Sequence, residues 1–141
     1  MASSILVREI MKKPAPSVSD QVSIADVIDA LSRHNVMGLP VVNEFGNIVG
    51  FISEQDCIHS MLVSSYHCEG SPSVKEVMRT EVVTVSPETS IVDLAESMNH
   101  NRPKQYPVVE DGELVGLVTR KAILKALWEN RAHCDAPSKI A

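Results

Sequence analysis

Apolar residues in this chain change their spacing in a fixed order. Ile24, Val27, Ile28 and Leu31 recur at helical intervals, and Ile91, Leu94, Ala95 and Met98 do so again later. Ser23 and Ser90 stand immediately before these runs, each with an aspartate three residues on, Asp26 and Asp93. A hydroxyl that accepts from first-turn N–H groups, with an acidic residue at the positive helix end, predicts a capped start at both places. The pattern then becomes that of strands. Leu39–Val42 and Ile48–Ser53 are β-branched runs flanking Asn43–Asn47, a turn containing Gly46, so they read as a hairpin. Tyr106–Val109 and Leu114–Thr119 flank Glu110–Gly112 in the same way. Helices are expected near 54–64 and 120–131, and short extended segments near Pro16–Ser19 and Val82–Val85.

The two series are one unit repeated. Val7–Met11 matches Val74–Met78 at an offset of 67 residues, as do Val18-Ser19 with Val85-Ser86, Ser23–Asp26 with Ser90–Asp93, and Pro40–Val42 with Pro107–Val109. A one-residue deletion in the second turn then makes the offset 66, aligning Gly50–Ser53 with Gly116–Thr119. The unit is β-α-β-β-α. Its hairpin strands are apolar on both faces, so helices are expected to cover the sheet. One unit of about 55 residues is marginal alone, whereas two packed sheet to sheet bury the remaining apolar face. The expected class is therefore α+β, with two repeats, small sheets packed together and helices outside. The expected boundaries are a first repeat over 1–65, a linker over 66–73 with Gly70 and Pro72, a second repeat over 74–131 and a flexible tail over 132–141.

Composition narrows the function classes. Aromatic residues are 4% of the 141, so the core must be aliphatic. The net charge of -5 argues against nucleic acid as a partner, since that contact needs a basic surface. It leaves room for a phosphorylated small molecule, which needs only a local basic pocket. No run of about 18 apolar residues predicts a membrane span, and the first residues lack the apolar core of a signal peptide. Cys57, Cys68 and Cys134 fit free thiols in a reducing compartment, so the expected location is cytoplasmic.

The doubled motifs resemble the cystathionine-β-synthase (CBS) domain, which occurs as tandem pairs called Bateman modules. The residues carrying the resemblance are a Met-containing helical turn, a Pro-Val-Val strand and a Gly-x-x-Ser/Thr closing strand, each present twice over roughly residues 5–127. The resemblance implies a pseudo-twofold arrangement of the repeats. It also implies adenosine nucleotides in clefts between them, disc-like homodimers, and a regulatory role toward another protein. The family motif Gly-h-x-Ser/Thr-x-x-Asp is complete at Gly50–Asp56, where it implies that Asp56 bonds the ribose hydroxyls and Ser53 faces a phosphate. Ser53-x-x-Asp56 is also a plain helix-capping pattern, and both readings stand at this point. In the second copy, Gly116–Ala122, alanine replaces the aspartate. A hydrogen bond to a charged group contributes about 1.5–3 kcal/mol, so its loss weakens a ribose site roughly 10- to 100-fold, and two unequal clefts are expected.

The resemblance further implies that Ala15–Val18, including Pro16, Ser17 and Val18, line the nucleobase of the ligand, with Gly38, Leu39 and Pro40 as the opposite wall. Gly38 would leave room for a ring. Lys104, three residues before Pro107, fits a phosphate contact, with Arg102 and Arg120 as further candidates and Lys121 completing the basic cluster. Tyr106 and Thr119 complete the candidate ligand set. The effector would be AMP, ADP, ATP or a related adenosyl compound, with no resident cofactor. The expected partners are that nucleotide, a second copy of the chain and a regulated protein. The rival reading is a ligand-free structural or dimerisation module.

No nucleophile elbow, phosphate-binding loop or HExxH pattern is present, so an enzyme is not expected. His67-Cys68 and His133-Cys134 are repeat-related, but adjacent residues rarely converge on one metal, so no zinc site is expected. Cys57 lies on an apolar helical face with Ile58, Met61 and Leu62 and reads as a buried thiol. Leu124, Leu127 and Trp128 could form a stripe for a dimer partner or pack on their own domain.

Overall fold

The computed structural model describes residues 5–64, 71–98 and 102–131. The first series comprises α1 (Val7–Ile10), β1 (Val18–Ser19), α2 (Ile24–His34), β2 (Gly38–Val42), β3 (Ile48–Ser53) and α3 (Glu54–Ser64). The second comprises α4 (Val74–Val77), α5 (Ile91–Ser97), β4 (Gln105–Glu110), β5 (Glu113–Thr119) and α6 (Arg120–Glu129). The expected hairpins, capped helices and closing helices are all present, with ends shifted by one or two residues. Gly46 (φ 82°) and Gly112 (φ 85°) turn the two hairpins in a left-handed conformation that favours glycine.

The capping expectation holds in atomic detail. The Ser23 hydroxyl accepts from the Asp26 N–H at 3.4 Å, and the Asp26 carboxylate accepts from the Ser23 N–H at 3.2 Å. Ser90 accepts from the N–H groups of Val92 and Asp93 at 3.2 and 3.5 Å. Ile28, expected on the buried face of α2, is instead 37% exposed.

One sheet has three strands in the order β1-β2-β3, with β1 parallel to β2 and β2 antiparallel to β3. Among the described residues the other has the β4-β5 hairpin alone. The extended segment expected at Val82–Val85 is reduced to a single parallel bridge between Val85 and Val108, the counterpart of the Val18–Val41 pair. The cause is local. In the first half the Asp20 N–H continues the ladder to the Val42 carbonyl at 2.9 Å. Its counterpart is Pro87, which has no N–H to give.

The packing units are offset from the sequence repeats, because each leading helical turn crosses to the opposite half. Val7, Ile10 and Met11 join the core of Ile91, Leu94, Tyr106, Val108, Val118 and Ile123. Val74, Val77 and Met78 join the core of Ile24, Val27, Leu39, Val41 and Ile52. The crossing is reciprocal bond for bond. The Val74 N–H donates to Val22 O and the Val7 N–H to Thr89 O; Ile24 donates to Pro72 O and Ile91 to Ile5 O. Phe51 pairs with Arg79 as Leu117 pairs with Lys12. This exchange is the backbone of the pseudo-twofold arrangement. It also explains the motif glycines, since a Cβ at Gly50 would strike the Met78 sulfur and one at Gly116 the Met11 sulfur.

Among the described residues no helix is long and apolar enough to cross a membrane. The His67-Cys68 and His133-Cys134 pairs and the tail lie outside the described residues.

Candidate functional site

Strand β3 ends at Ser53 and α3 begins at the next residue, which places the motif at a strand-to-helix junction. Ser53 and Asp56 form a reciprocal cap. The Asp56 Oδ2 atom accepts from both the Ser53 N–H and the Ser53 hydroxyl at 3.0 Å, and the Asp56 N–H donates to Ser53 Oγ at 3.3 Å. The remaining oxygen is also occupied. Arg79 donates to Asp56 Oδ1 through Nε at 3.2 Å and Nη2 at 3.1 Å, with Nε 3.4 Å from Oδ2. A carboxylate offers about four acceptor positions, so Asp56 is fully engaged. Its side chain is 12% exposed, whereas that of Arg79 is 65% exposed. Because most of the Arg79 side chain is in water, it can exchange this carboxylate for another anion without disturbing the fold. Arg79 reaches Asp56 because its backbone is pinned to Phe51, two residues before Ser53.

Beside this junction lies a cleft of about 720 Å³ between the halves. Met37, Gly38, Phe51, Ser53, Glu54 and Gln55 form the side contributed by the first repeat. Arg79, the Glu81–Val83 segment and Arg102–Gln105 with Pro107 form the other. Arg79, Arg102 and Lys104 line the cleft together with the carboxylates of Glu54 and Glu81, and Arg79 is paired with Asp56. Phe51, Val82, Val83 and Pro103 supply apolar surface. The floor is tied across the halves by Gln105, which accepts from the Met37 N–H at 2.8 Å and donates to Gly38 O at 2.7 Å. The arrangement can hold a flat apolar group beside an anionic one.

The CBS domain model matches this chain twice, over residues 7–63 and 74–129. The chain belongs to the CBS domain family. It is 30% identical to the uncharacterised protein MJ1426 of Methanocaldococcus jannaschii, over 87% of this chain and 91% of that protein. It is 34% identical to an A-adding tRNA nucleotidyltransferase of Aquifex aeolicus over 88% of its own length, but spans only 14% of that enzyme. Among solved structures it resembles the CBS domain pair of protein MJ0100, crystallised with 5′-methylthioadenosine and S-adenosyl-L-methionine. That likeness has a TM-score of 0.74 and 29% identity, and covers 86% of this chain and 98% of that one. It also resembles CBSX2 in complex with AMP, with a TM-score of 0.75 and 25% identity over 89% and 98% of the two chains.

Of the residues singled out in the CBS motifs, Gly38, Ser53, Arg102 and Lys104 come together on this cleft, with Asp56 behind Ser53. The segment Ala15–Val18, with Pro16, Ser17 and Val18, does not line it. Its place is taken by the repeat counterparts of Ala15 and Pro16, namely Val82 and Val83. The crossing is the reason: Arg79 pairs with Phe51 and brings the second segment to the first repeat's closing strand, while Lys12 pairs with Leu117 and takes the first segment to the closing strand of the other repeat. Pro40, Thr119 and Arg120 are not on the lining either, whereas Pro107, the counterpart of Pro40, is. Leu39 and Tyr106 turn their side chains into the two cores, and Val18 is also a core residue. The room expected over Gly38 is filled by the protein's own Phe51 ring, which a Cβ at that glycine would meet at 2.6 Å. Thr119 caps α6 by accepting from the Ala122 N–H at 3.1 Å, with no aspartate to answer it.

The lining residues missed from sequence include Arg79, Phe51, Gln105 and the Glu81–Val83 segment. Arg79 had one signal, because Lys12 follows the matching methionine in the first copy. Cys57 is a free thiol, 2% exposed in the first core.

Proposed function

We propose that this CBS domain pair is a regulatory module that holds AMP, ADP, ATP or a related adenosyl ligand in the cleft between its repeats and signals its occupancy to a partner protein. The observation that carries the reading is a cleft lined by both repeats, with Ser53 on one side, Arg102 and Lys104 on the other, and Asp56 behind Ser53 in the grip of Arg79. Phe51, Val82 and Val83 suit a purine ring. Arg79, Arg102 and Lys104 suit phosphate oxygens. Asp56 suits a vicinal diol once Arg79 releases it. Two structural relatives are crystallised with adenosine ligands, which supports the same chemistry. Because the cleft draws on both halves, a ligand there bridges them and favours whichever relative placement fits it best. The role is regulatory, with no reaction assigned, and the setting cytoplasmic. Ala122 makes the second cleft the weaker one.

The homodimer belongs to the same proposal. Ile58 and Leu124, Met61 and Leu127, and Leu62 and Trp128 stand 66 residues apart at matching places on α3 and α6, and all six side chains are exposed. A second copy presents the same doubled stripe, so one twofold contact covers both helices.

Calorimetry and thermal shift with AMP, ADP, ATP and S-adenosylmethionine test the ligand reading. At least one should bind and raise the melting temperature, and Asp56→Ala should weaken it roughly 10- to 100-fold. A panel in which none binds removes the sensor reading and leaves a structural or dimerisation module.

A further inference from the structure

We infer that Arg79 makes the cleft selective for ligands that carry both a sugar diol and an anionic group, because it holds the diol-binding carboxylate closed until an anion draws it away. This rests on the reading of the cleft as an adenosine site with Asp56 as the diol acceptor. Four donor groups already fill the Asp56 carboxylate, two from Ser53 and two from the Arg79 fork. The Ser53 contacts belong to the cap of α3 and stay with the fold. The Arg79 contacts are the exchangeable pair, because this side chain is mostly in water and also lines the cleft.

A ligand with hydroxyls alone must displace Arg79 and offers it no replacement for the carboxylate. A ligand with a phosphate offers a second bidentate anion within the same cleft, where Arg102 and Lys104 add to the attraction. The phosphate and the diol are then bound as one event: capturing the guanidinium exposes Asp56. In the other repeat the coupling is broken at both ends. Lys12 replaces the forked guanidinium with a single ammonium, and Ala122 removes the carboxylate.

The test is a comparison of AMP with adenosine by calorimetry on the full chain, in wild type, Arg79→Gln, Arg79→Lys and Asp56→Asn, with thermal denaturation checking that each variant is folded. Wild type should prefer AMP by about tenfold or more. Arg79→Gln should shrink that ratio toward one, losing roughly tenfold for AMP while adenosine stays level or improves. Arg79→Lys keeps the charge without the fork and should fall between. Asp56→Asn should weaken both ligands. An AMP-to-adenosine ratio that Arg79→Gln leaves unchanged overturns the coupling while the adenosine site stands, provided Asp56→Asn still weakens AMP. If AMP affinity ignores Asp56→Asn, or wild type binds neither ligand, the site reading falls and the coupling with it.

Discussion

Gln105 donates a 2.7 Å hydrogen bond to the carbonyl of Gly38, the residue that holds its own position in the other repeat. The two counterparts meet where the halves join, and they are unequal. Gly38 is bare because the Phe51 ring covers it, whereas Gln105 supplies an amide that also accepts from Met37. The same contact closes the floor of the cleft and locks β2 to β4.

Gln105→Ala should therefore destabilise the protein. Gln105 is 5% exposed, and its loss strands the Met37 N–H and the Gly38 carbonyl without partners. Each stranded group costs about 1–3 kcal/mol, for a total of about 2–6 kcal/mol by urea unfolding. An unchanged midpoint with an unchanged slope would mean that water replaces the amide.

The two motif glycines should respond differently to alanine. At Gly50 a Cβ meets the Met78 sulfur and, at 2.8 Å, the backbone carbonyl of Arg79, which cannot step aside. At Gly116 the three nearest atoms belong to the Met11 side chain, which is flexible. Gly50→Ala should cost about 2–3 kcal/mol and Gly116→Ala about 1 kcal/mol. Equal losses in chemical denaturation would contradict this account of the crossing.

Stability should decline on the alkaline side. Burial, then the carboxylates of Asp56 and Glu54, push the Cys57 thiol above the usual range. A folded-state value above the unfolded one means the folded chain holds the proton more tightly. That contribution is complete below the unfolded thiol value, about 8.5, and is lost as pH rises through the folded value. Burial raises the Tyr106 phenol too, against the opposing pull of Arg102 and Arg120, and extends the decline to higher pH. Unfolding free energy measured against pH should fall above about pH 8.5, and Cys57→Ala should flatten the first part of the fall. A curve as steep in the variant as in wild type would assign the decline to other groups.

Tyr106→Phe should be neutral or stabilising. The Tyr106 hydroxyl is buried in the second core with no hydrogen-bond partner among the described residues. Removing it relieves a desolvation cost of about 1–3 kcal/mol at no packing loss. A clear drop in melting temperature would reveal a bound water serving that oxygen.

Charge placed on the doubled stripe should separate the dimer. Wild type should run by light scattering at twice the 15.4 kDa chain mass, and the pair Ile58→Glu with Leu124→Glu at the single mass. A wild-type monomer, or a dimer untouched by both changes, rejects α3 and α6 as the interface.

Sequence alone determined the elements, their duplication and the family. Those depend on local rules: helical spacing after Ser23 and Ser90, β-branched runs around Gly46 and Gly112, and a motif repeated at one offset. It also marked the unequal ends, Asp56 against Ala122. The tertiary structure decided which segments meet. Periodicity is the same whether α1 packs on its own half or the other, so the crossing, and with it the replacement of Ala15–Val18 by Val82 and Val83 in the cleft, is invisible along the chain. The occupation of Asp56 by Arg79, 23 residues away, is invisible for the same reason. Local spacing specifies which face of an element is apolar, but the partner that covers that face is chosen by long-range packing, and the site is made where those choices converge.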